Sequence, residues 1–348
     1  MRQDRNTPIT QQLPQAGEPQ MDVLSHALLG FIIGQALQLD TSLQLVLIAS
    51  SISLDIDALS IRGREAAFRS HRGPLHSILA AIAASLLIAT GYTILMHRPM
   101  PTVFTVVPIC FAGLSSHLLL DLFTTGNMTA LWPFSRKNLA LNLTHFFDPI
   151  FLGALILAAF LIINTKTDVN HIQTIATVAV AFLALGLGVR HYEKNRTANF
   201  VKGLDKGTAF EIVSFPTIRP DRWWSVKKIP FENGYRYEIY RIDSAHNKIL
   251  GKDSVESPHI DHTGPAQPPI DSPRKAIACS KRDKRVKASV DKFLLPAASI
   301  TLSNEDSTWE VFWYDVFTHI GKEESHGILA RIKVDGKITI ETRQTTTI

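Results

Sequence analysis

Histidine and aspartate side chains recur at the ends of apolar runs in this sequence. His117 and Asp121 are four residues apart in the stretch SHLLLDLFTTG, so a helix places both on one face. The stretch HRGPLHS sets His71 and His76 around a Gly-Pro pair, directly before another apolar run. His and Asp without Cys form the ligand sets of zinc, manganese or iron. The four residues are therefore predicted to share a metal site.

Three more ionisable residues extend this predicted ligand set. His26 lies near the start of the first apolar run, and SLDIDAL places Asp55 and Asp57 at the end of the second. On an unbroken helix these two aspartates diverge, so they converge only if the helix ends there. An ionisable residue within a membrane segment costs about 2.5–3.5 kcal/mol, so it usually has a partner or a function.

Ordinary structural roles compete with a metal role at the weaker positions. A lone histidine near a helix end, such as His26, is more often a surface or hydrogen-bonded residue than a ligand. Asp148 directly precedes Pro149, a context that favours a helix N-cap, and His145 is predicted to be interfacial. Arg72 fits either a charge that orients the membrane segments or a group that neutralises negative charge on a substrate.

Six apolar segments are predicted to position these residues in a membrane. The third and fourth reach the ~20 residues that a helix needs to cross a hydrocarbon core. The first and fifth are shorter and suit tilted or re-entrant elements, and Asp40–Thr41 is predicted to turn the first two segments into a hairpin. The segments cover roughly residues 24–39, 41–59, 75–96, 102–124, 149–164 and 172–189.

Basic residues give this region an orientation. If all six segments cross, twelve Lys and Arg residues near the membrane share one side, and only Arg98 and Lys166 lie on the other. This excess predicts a multi-pass membrane protein with both termini in the cytoplasm. The candidate site residues then share the cytoplasmic side: His26, Asp55, Asp57, His71, His76, His117, Asp121, His145 and Asp148.

The polar parts of the chain are predicted to lie outside the membrane. Residues 1–20 lack an apolar core, so they are predicted to be a disordered tail, or to precede the true start of the protein at Met21. The membrane domain is expected to cover 21–195. Residues 196–348 are rich in strand-like alternation, with a flexible stretch at 251–275.

The predicted fold is an α-helical integral membrane domain followed by a small β-rich cytoplasmic domain. Asp335–Gly336 is a strong hairpin signal within the β-rich part. Cys110 and Cys279 are too few for a disulfide framework or a thiolate metal site. The sequence contains no G-x-S-x-G pattern of a serine hydrolase and no recognisable nucleic-acid reader motif.

Several of these stretches in combination resemble the YdjM family. They are MDVLSHALLG, SLDIDAL, HRGPLHS, SHLLLDLFTTG and the Asp-Pro pair at 148–149. Members are described as inner-membrane metal-dependent hydrolases, some of them under LexA control. The resemblance covers about residues 21–190, and FPTIRPDRWWSV resembles a segment of longer members. It implies a metal site formed by His26, Asp55, Asp57, His71, His76, His117 and Asp121.

The leading functional hypothesis is a membrane-bound hydrolase that uses one or two divalent ions, zinc or manganese. Asp55 or Asp57 would complete a second metal site or act as general base, and Arg72 would neutralise charge on a phosphoester. A site at headgroup level suits a lipid-linked substrate. A non-catalytic metal-binding scaffold or stress sensor is the first alternative. A metal or proton transporter ranks last, because the polar residues cluster at one end of the membrane.

Overall fold

A computed structural model gives the fold of most of the chain. It describes residues 23–55, 73–126, 128–135, 137–145, 147–165, 168–204, 211–232, 234–258, 268–291, 293, 295–303, 307–316 and 324–346. The chain divides into two compact units. One holds the helical region together with the residues up to Ile229 and Glu238–Ser254, and the other holds Pro230–Tyr237 and Val255–Ile348.

Six helices make up the N-terminal part of the described chain. Two 3-10 turns also belong to this part: Ser53–Asp55 follows the second helix, and Pro74–His76 precedes the third. The third, fourth and sixth helices are long and apolar enough to cross a membrane, and the other three are shorter. Each predicted segment thus contains a helix, while the number of crossings stays a prediction. The helices are α1 (Val23–Ala36), α2 (Thr41–Ile52), α3 (Ile78–Leu95), α4 (Thr102–Phe123), α5 (Pro149–Asn164) and α6 (Val169–Gly203).

Small residues let α2 pack closely against α1 and α4. A Cβ atom added at Gly113 in α4 would lie 2.7 Å from the carbonyl oxygen of Leu47 in α2. One added at Gly30 in α1 would lie 2.6 Å from Oγ of Ser51. Asp40 begins α2 by accepting hydrogen bonds from the backbone of Ser42 and Leu43, which places the helical hairpin turn at the predicted position.

The outer surfaces of the helices carry many exposed apolar side chains. Leu87 in α3, Phe104 in α4 and Leu185 in α6 are 73%, 81% and 69% exposed. Such surfaces are typical of helices that face lipid, because the hydrocarbon of the bilayer solvates them as well as a protein core would. The exposed apolar residues therefore agree with membrane contact.

Two small four-stranded sheets follow the helices, as the β-rich composition predicts. Strand order in each sheet follows the sequence, and the pairs β1–β2, β5–β6, β6–β7 and β7–β8 are antiparallel. The predicted hairpin is confirmed, since Ile332 pairs with Ile338 across a turn in which Gly336 has a φ of 85°. The strands are β1 (Glu211–Pro216), β2 (Arg222–Phe231), β3 (Gly234–Asp243), β4 (Lys248–Pro258), β5 (Pro296–Ser303), β6 (Thr308–Asp315), β7 (Glu324–Ile332) and β8 (Ile338–Thr346).

Part of the predicted flexible stretch at 251–275 is regular structure, and that part of the prediction is wrong. Residues 251–258 belong to β4, and helix α7 (Pro273–Ser280) precedes a second short helix, α8 (Lys284–Val290). Val255 and Ser257 are buried in β4, so packing outweighs the polar composition there. Helix α6 also continues beyond the predicted boundary at 195, and its Val201 packs against Tyr240 of β3.

Candidate metal centre

Five predicted ligands lie together inside the helical region, and we call them the His/Asp cluster. Each is at most 6% exposed. Two triads of the cluster have donor atoms close enough together to hold a metal ion. The members are His26 of α1, Asp55 after α2, His76 before α3, and His117 and Asp121 of α4.

The ends of the helices position Asp55 and His76. Helix α2 is followed by the 3-10 turn Ser53–Asp55. Asp55 therefore lies beyond the end of the regular helix, as predicted from the sequence. His76 lies in the 3-10 turn that Pro74 begins. Ser77 then caps α3, because its Oγ accepts a hydrogen bond from the backbone of Ala80.

The distances between the cluster's nitrogen and oxygen atoms suit an ion held among them. His117 Nε2 lies 3.5 Å from Asp121 Oδ2 and 3.6 Å from Asp55 Oδ1. His76 Nε2 lies 3.7 Å and 3.9 Å from the same two atoms. These separations are too long for good hydrogen bonds. They are close to the ~3.3–3.6 Å between neighbouring ligands of a tetrahedral ion whose bonds are about 2.0–2.2 Å long.

A backbone contact determines which nitrogen of His117 faces the cluster. His117 Nδ1 lies 2.8 Å from the carbonyl oxygen of Ser51, which only accepts hydrogen bonds, so Nδ1 carries the proton. In neutral His117, Nε2 then presents a lone pair to Asp55 and Asp121. Neither Nε2 of His117 nor either carboxylate oxygen of Asp55 forms a hydrogen bond within the described residues. Converging buried acceptors are unfavourable alone and fit a bound cation.

His26 occupies a distinct place in the cluster. Its ring stacks on that of His117 with a centroid separation of 3.9 Å and an angle of 17° between the planes. Its Nε2 lies 3.7 Å from Asp121 Oδ1, whereas His76 and His117 contact the other carboxylate oxygen of Asp121, Oδ2. Both candidate triads include His117, and only one of its nitrogens is available. Because both triads would use His117 Nε2, a metal ion bound there prevents a second ion from binding through the same nitrogen.

The remaining predicted site residues lie elsewhere or outside the described residues. Asp57, His71 and Arg72 belong to the second group. Asp148 is the N-cap of α5 and forms a buried ion pair with Arg190, with 2.7 Å between Oδ2 and Nη2. His145 contacts the backbone of Phe147, and it belongs to neither candidate triad found in the described chain. Burial lowers the pKa of His145 below its ordinary value, against the raising effect of the Phe147 carbonyl.

Two residues that matter to this geometry were not singled out from the sequence. Ser51 orients His117 through its backbone carbonyl, which leaves no side-chain signal. Arg190 was counted only among the basic residues that orient the membrane segments. Its position at the end of a long apolar run is itself a signal, because a charge there usually has a partner.

The helices and the cluster together define a membrane protein with a buried His/Asp site suited to a metal ion. The chain belongs to the YdjM family: the family model, described as YdjM inner membrane protein, matches residues 21–197. This finding confirms the resemblance, and the two β-sheets form an additional C-terminal region.

A relative of the chain has been found in Bacillus subtilis (strain 168), where it bears the name "Uncharacterized protein YfhP". The two are 28% identical over 140 residues, which cover 37% of this chain and 42% of that protein. The match thus spans less than half of the relative's length. No solved structure matches the chain.

Proposed function

We propose that this chain is a membrane-bound metal-dependent hydrolase with its site at the cytoplasmic face of the inner membrane. The main support is the convergence of Asp55 and His117: Asp55 Oδ1 and His117 Nε2 are buried, lie 3.6 Å apart, and form no hydrogen bond with any of the described residues. A divalent cation held between these groups would offset the cost of burying them.

The proposed ligands are His76, His117 and Asp121 of one triad together with Asp55 of the other, a nitrogen and oxygen set that suits zinc or manganese. Because His117 offers one nitrogen, a single ion at this position is proposed. When bound, a divalent ion polarises a scissile carbonyl or phosphoryl group and activates water. His26 supports the ring of His117 by stacking and is a further ligand in the alternative triad.

The residues outside the described chain complete the proposal. Asp57 is proposed as general base, His71 as a further ligand, and Arg72 as the group that neutralises negative charge on a phosphoester. With six crossings and cytoplasmic termini, the cluster lies at headgroup level, so the proposed substrate is a lipid-linked phosphoester or acyl ester.

Metal content tests the site directly. Mass spectrometry on detergent-purified protein, loaded with zinc or manganese, should show stoichiometric metal that is lost in His76→Ala and Asp121→Asn. The matched control is the exposed pair His171–Asp168, 2.6 Å apart, at the start of α6. His171→Ala and Asp168→Asn should keep the metal. Absence of metal from the folded wild-type protein would overturn the proposal.

Hydrolysis separates the proposal from a non-catalytic scaffold or sensor. Metal-loaded protein is incubated with phospholipid phosphoesters and acyl esters, beside His76→Ala and the His171→Ala control. Turnover that is lost only in His76→Ala supports the hydrolase. Stoichiometric metal without turnover of either class would favour the scaffold or sensor instead.

A further inference from the structure

We propose that Leu131–Phe134, the tip of the loop between α4 and α5, is a bilayer-docking surface that rests among lipid headgroups beside the His/Asp cluster. We call these four residues the LWPF tip. The proposal goes beyond the proposed function, because it requires neither a bound metal nor a reaction.

The base of the loop is fixed against the helices. Met128 and Leu139 form an antiparallel bridge with backbone hydrogen bonds of 3.0 and 2.9 Å. Met128 is 1% exposed and packs in the same apolar cluster as Leu114 of α4. A further backbone bond of 3.0 Å joins Ser135 N to the carbonyl of Leu131. The LWPF tip therefore projects from an anchored base rather than from an open chain.

The tip directs its large apolar side chains outward. Leu131, Trp132 and Phe134 are 44%, 38% and 87% exposed. Single exposed apolar residues are common on proteins, but neighbouring ones of this size mark a surface that contacts something else. The LWPF tip is anchored at its base and exposes three large apolar side chains within four residues, so it needs an apolar partner.

Continuity with a lipid-facing helix identifies that partner as the bilayer. Ile78, the first residue of α3, donates its backbone N–H to the carbonyl of Ala130 at 3.0 Å, directly beside the tip. From this first turn, α3 exposes Ile78, Leu79 and Ile82, which are 47%, 42% and 51% exposed. Since α3 has the length and hydropathy of a membrane span, lipid that covers it also reaches the LWPF tip.

The chemistry of the tip suits the headgroup layer. Trp is enriched at membrane interfaces because its ring is amphipathic, and exposed Lys137 follows within reach of lipid phosphates. His76 lies two residues before Ile78, so the same contact places the tip beside the His/Asp cluster. Docking of the tip would hold the cluster at the depth of the headgroups.

Quenching of Trp132 emission tests this surface in the full-length protein. The protein is reconstituted in vesicles of phosphatidylcholine brominated on the acyl chains near the headgroup, and in unbrominated vesicles. The emission of wild type minus that of Trp132→Phe isolates Trp132 from the four strand tryptophans. Two controls in the Trp132→Phe background are Phe104→Trp, at an exposed position of α4, and Val334→Trp, in the β7–β8 turn between Lys333 and Asp335.

The expected result is that Trp132 loses most of its emission in brominated lipid, as Phe104→Trp does, and resists aqueous iodide. Quenching by iodide as strong as that of Val334→Trp, without quenching by brominated lipid, would show a water-exposed tip and overturn the proposal. Protection from both quenchers would also overturn it, since another protein surface or a second copy would then cover the tip. None of these readouts depends on metal, so they are separate from a failure of the hydrolase proposal.

Discussion

The Nδ1 atom of His117 donates a 2.8 Å hydrogen bond to the carbonyl oxygen of Ser51, and this contact joins α4 to α2. The Oγ of Ser51, which lies 2.8 Å from the carbonyl oxygen of Ile48, also lies 3.0 Å from the carbonyl oxygen of His26. One residue of α2 thus contacts two histidines of the cluster. The arrangement resembles the hydrogen bonds that orient metal-ligating histidines in other proteins and fix their tautomer.

We expect His117 to be protonated at Nδ1 and unprotonated at Nε2 in the neutral ring, because the Ser51 carbonyl cannot donate a proton. NMR of protein labelled with heavy nitrogen in histidine identifies the tautomer. The signal that disappears in His117→Gln should have the Nδ1-protonated pattern, and His171→Gln should leave it in place. An Nε2-protonated pattern would contradict the assignment.

Substitution of Gly113 by Ala should separate α2 from α4 and weaken metal binding. The added Cβ would lie 2.7 Å from the Leu47 carbonyl oxygen and 2.9 Å from Ser50 Cβ, and His117 is one helical turn further along. Overpacking of this kind costs about 1–3 kcal/mol. We expect a lower thermal midpoint in detergent and a reduced metal content after purification.

The matched control for Gly113→Ala is Gly91→Ala in α3, where an added Cβ has no neighbour within 4 Å. It should leave metal content unchanged and keep or slightly raise stability, since Ala favours a helix by about 0.5–1 kcal/mol over Gly. Equal effects of the two substitutions would show that helix propensity, rather than the α2–α4 contact, governs the result.

The residues of the cluster could be predicted because their side chains, His and Asp, are recognisable in the sequence as metal ligands. The i, i+4 spacing of His117 and Asp121, and the Gly-Pro pair before His76, depend on local helix geometry alone. Each apolar run also predicts its helix, since the length of the run can be counted from consecutive residues alone. The sequence therefore indicates the helices and the residue types of the cluster.

The remaining features depend on tertiary contacts. The bond from His117 to Ser51 uses a backbone carbonyl, so any residue type at that position supplies the same atom. The part of β4 at residues 251–258 is a strand in which Val255 and Ser257 are buried, although its composition is polar. The Asp148–Arg190 pair joins residues 42 positions apart, and no local pattern connects them.

Loss of Arg190 should strongly destabilise the helical region. The side chains of Arg190 and Asp148 are each 5% exposed, so Arg190→Met would leave a buried carboxylate without its partner. Breaking such a pair costs about 3–5 kcal/mol. Chemical unfolding in detergent should show this loss, and Asp148→Asn combined with Arg190→Met should recover part of it, because Asn keeps the cap.

The control for Arg190 is the exposed ion pair of Arg236 and Glu256, in which Nη2 and Oε1 are 2.7 Å apart. Their side chains are 51% and 56% exposed. Surface pairs contribute about 0–1 kcal/mol, so Arg236→Met should be close to neutral. A cost at Arg190 no larger than at Arg236 would show that the buried pair contributes little beyond an ordinary surface contact.

Glu238 should make the first β-sheet more sensitive to acid. Burial acts to raise its pKa, but hydrogen bonds from Tyr240 at 2.6 Å and Lys252 at 2.9 Å outweigh this and hold the pKa below its ordinary value. Its contribution to stability is thus complete above the unfolded pKa of about 4.3 and is lost as the pH falls through the folded pKa. Urea unfolding in detergent should show wild type more stable than Glu238→Gln at neutral pH, with the difference shrinking in acid. Glu256→Gln is the exposed control, and a difference between wild type and Glu238→Gln that does not change with pH would contradict this role.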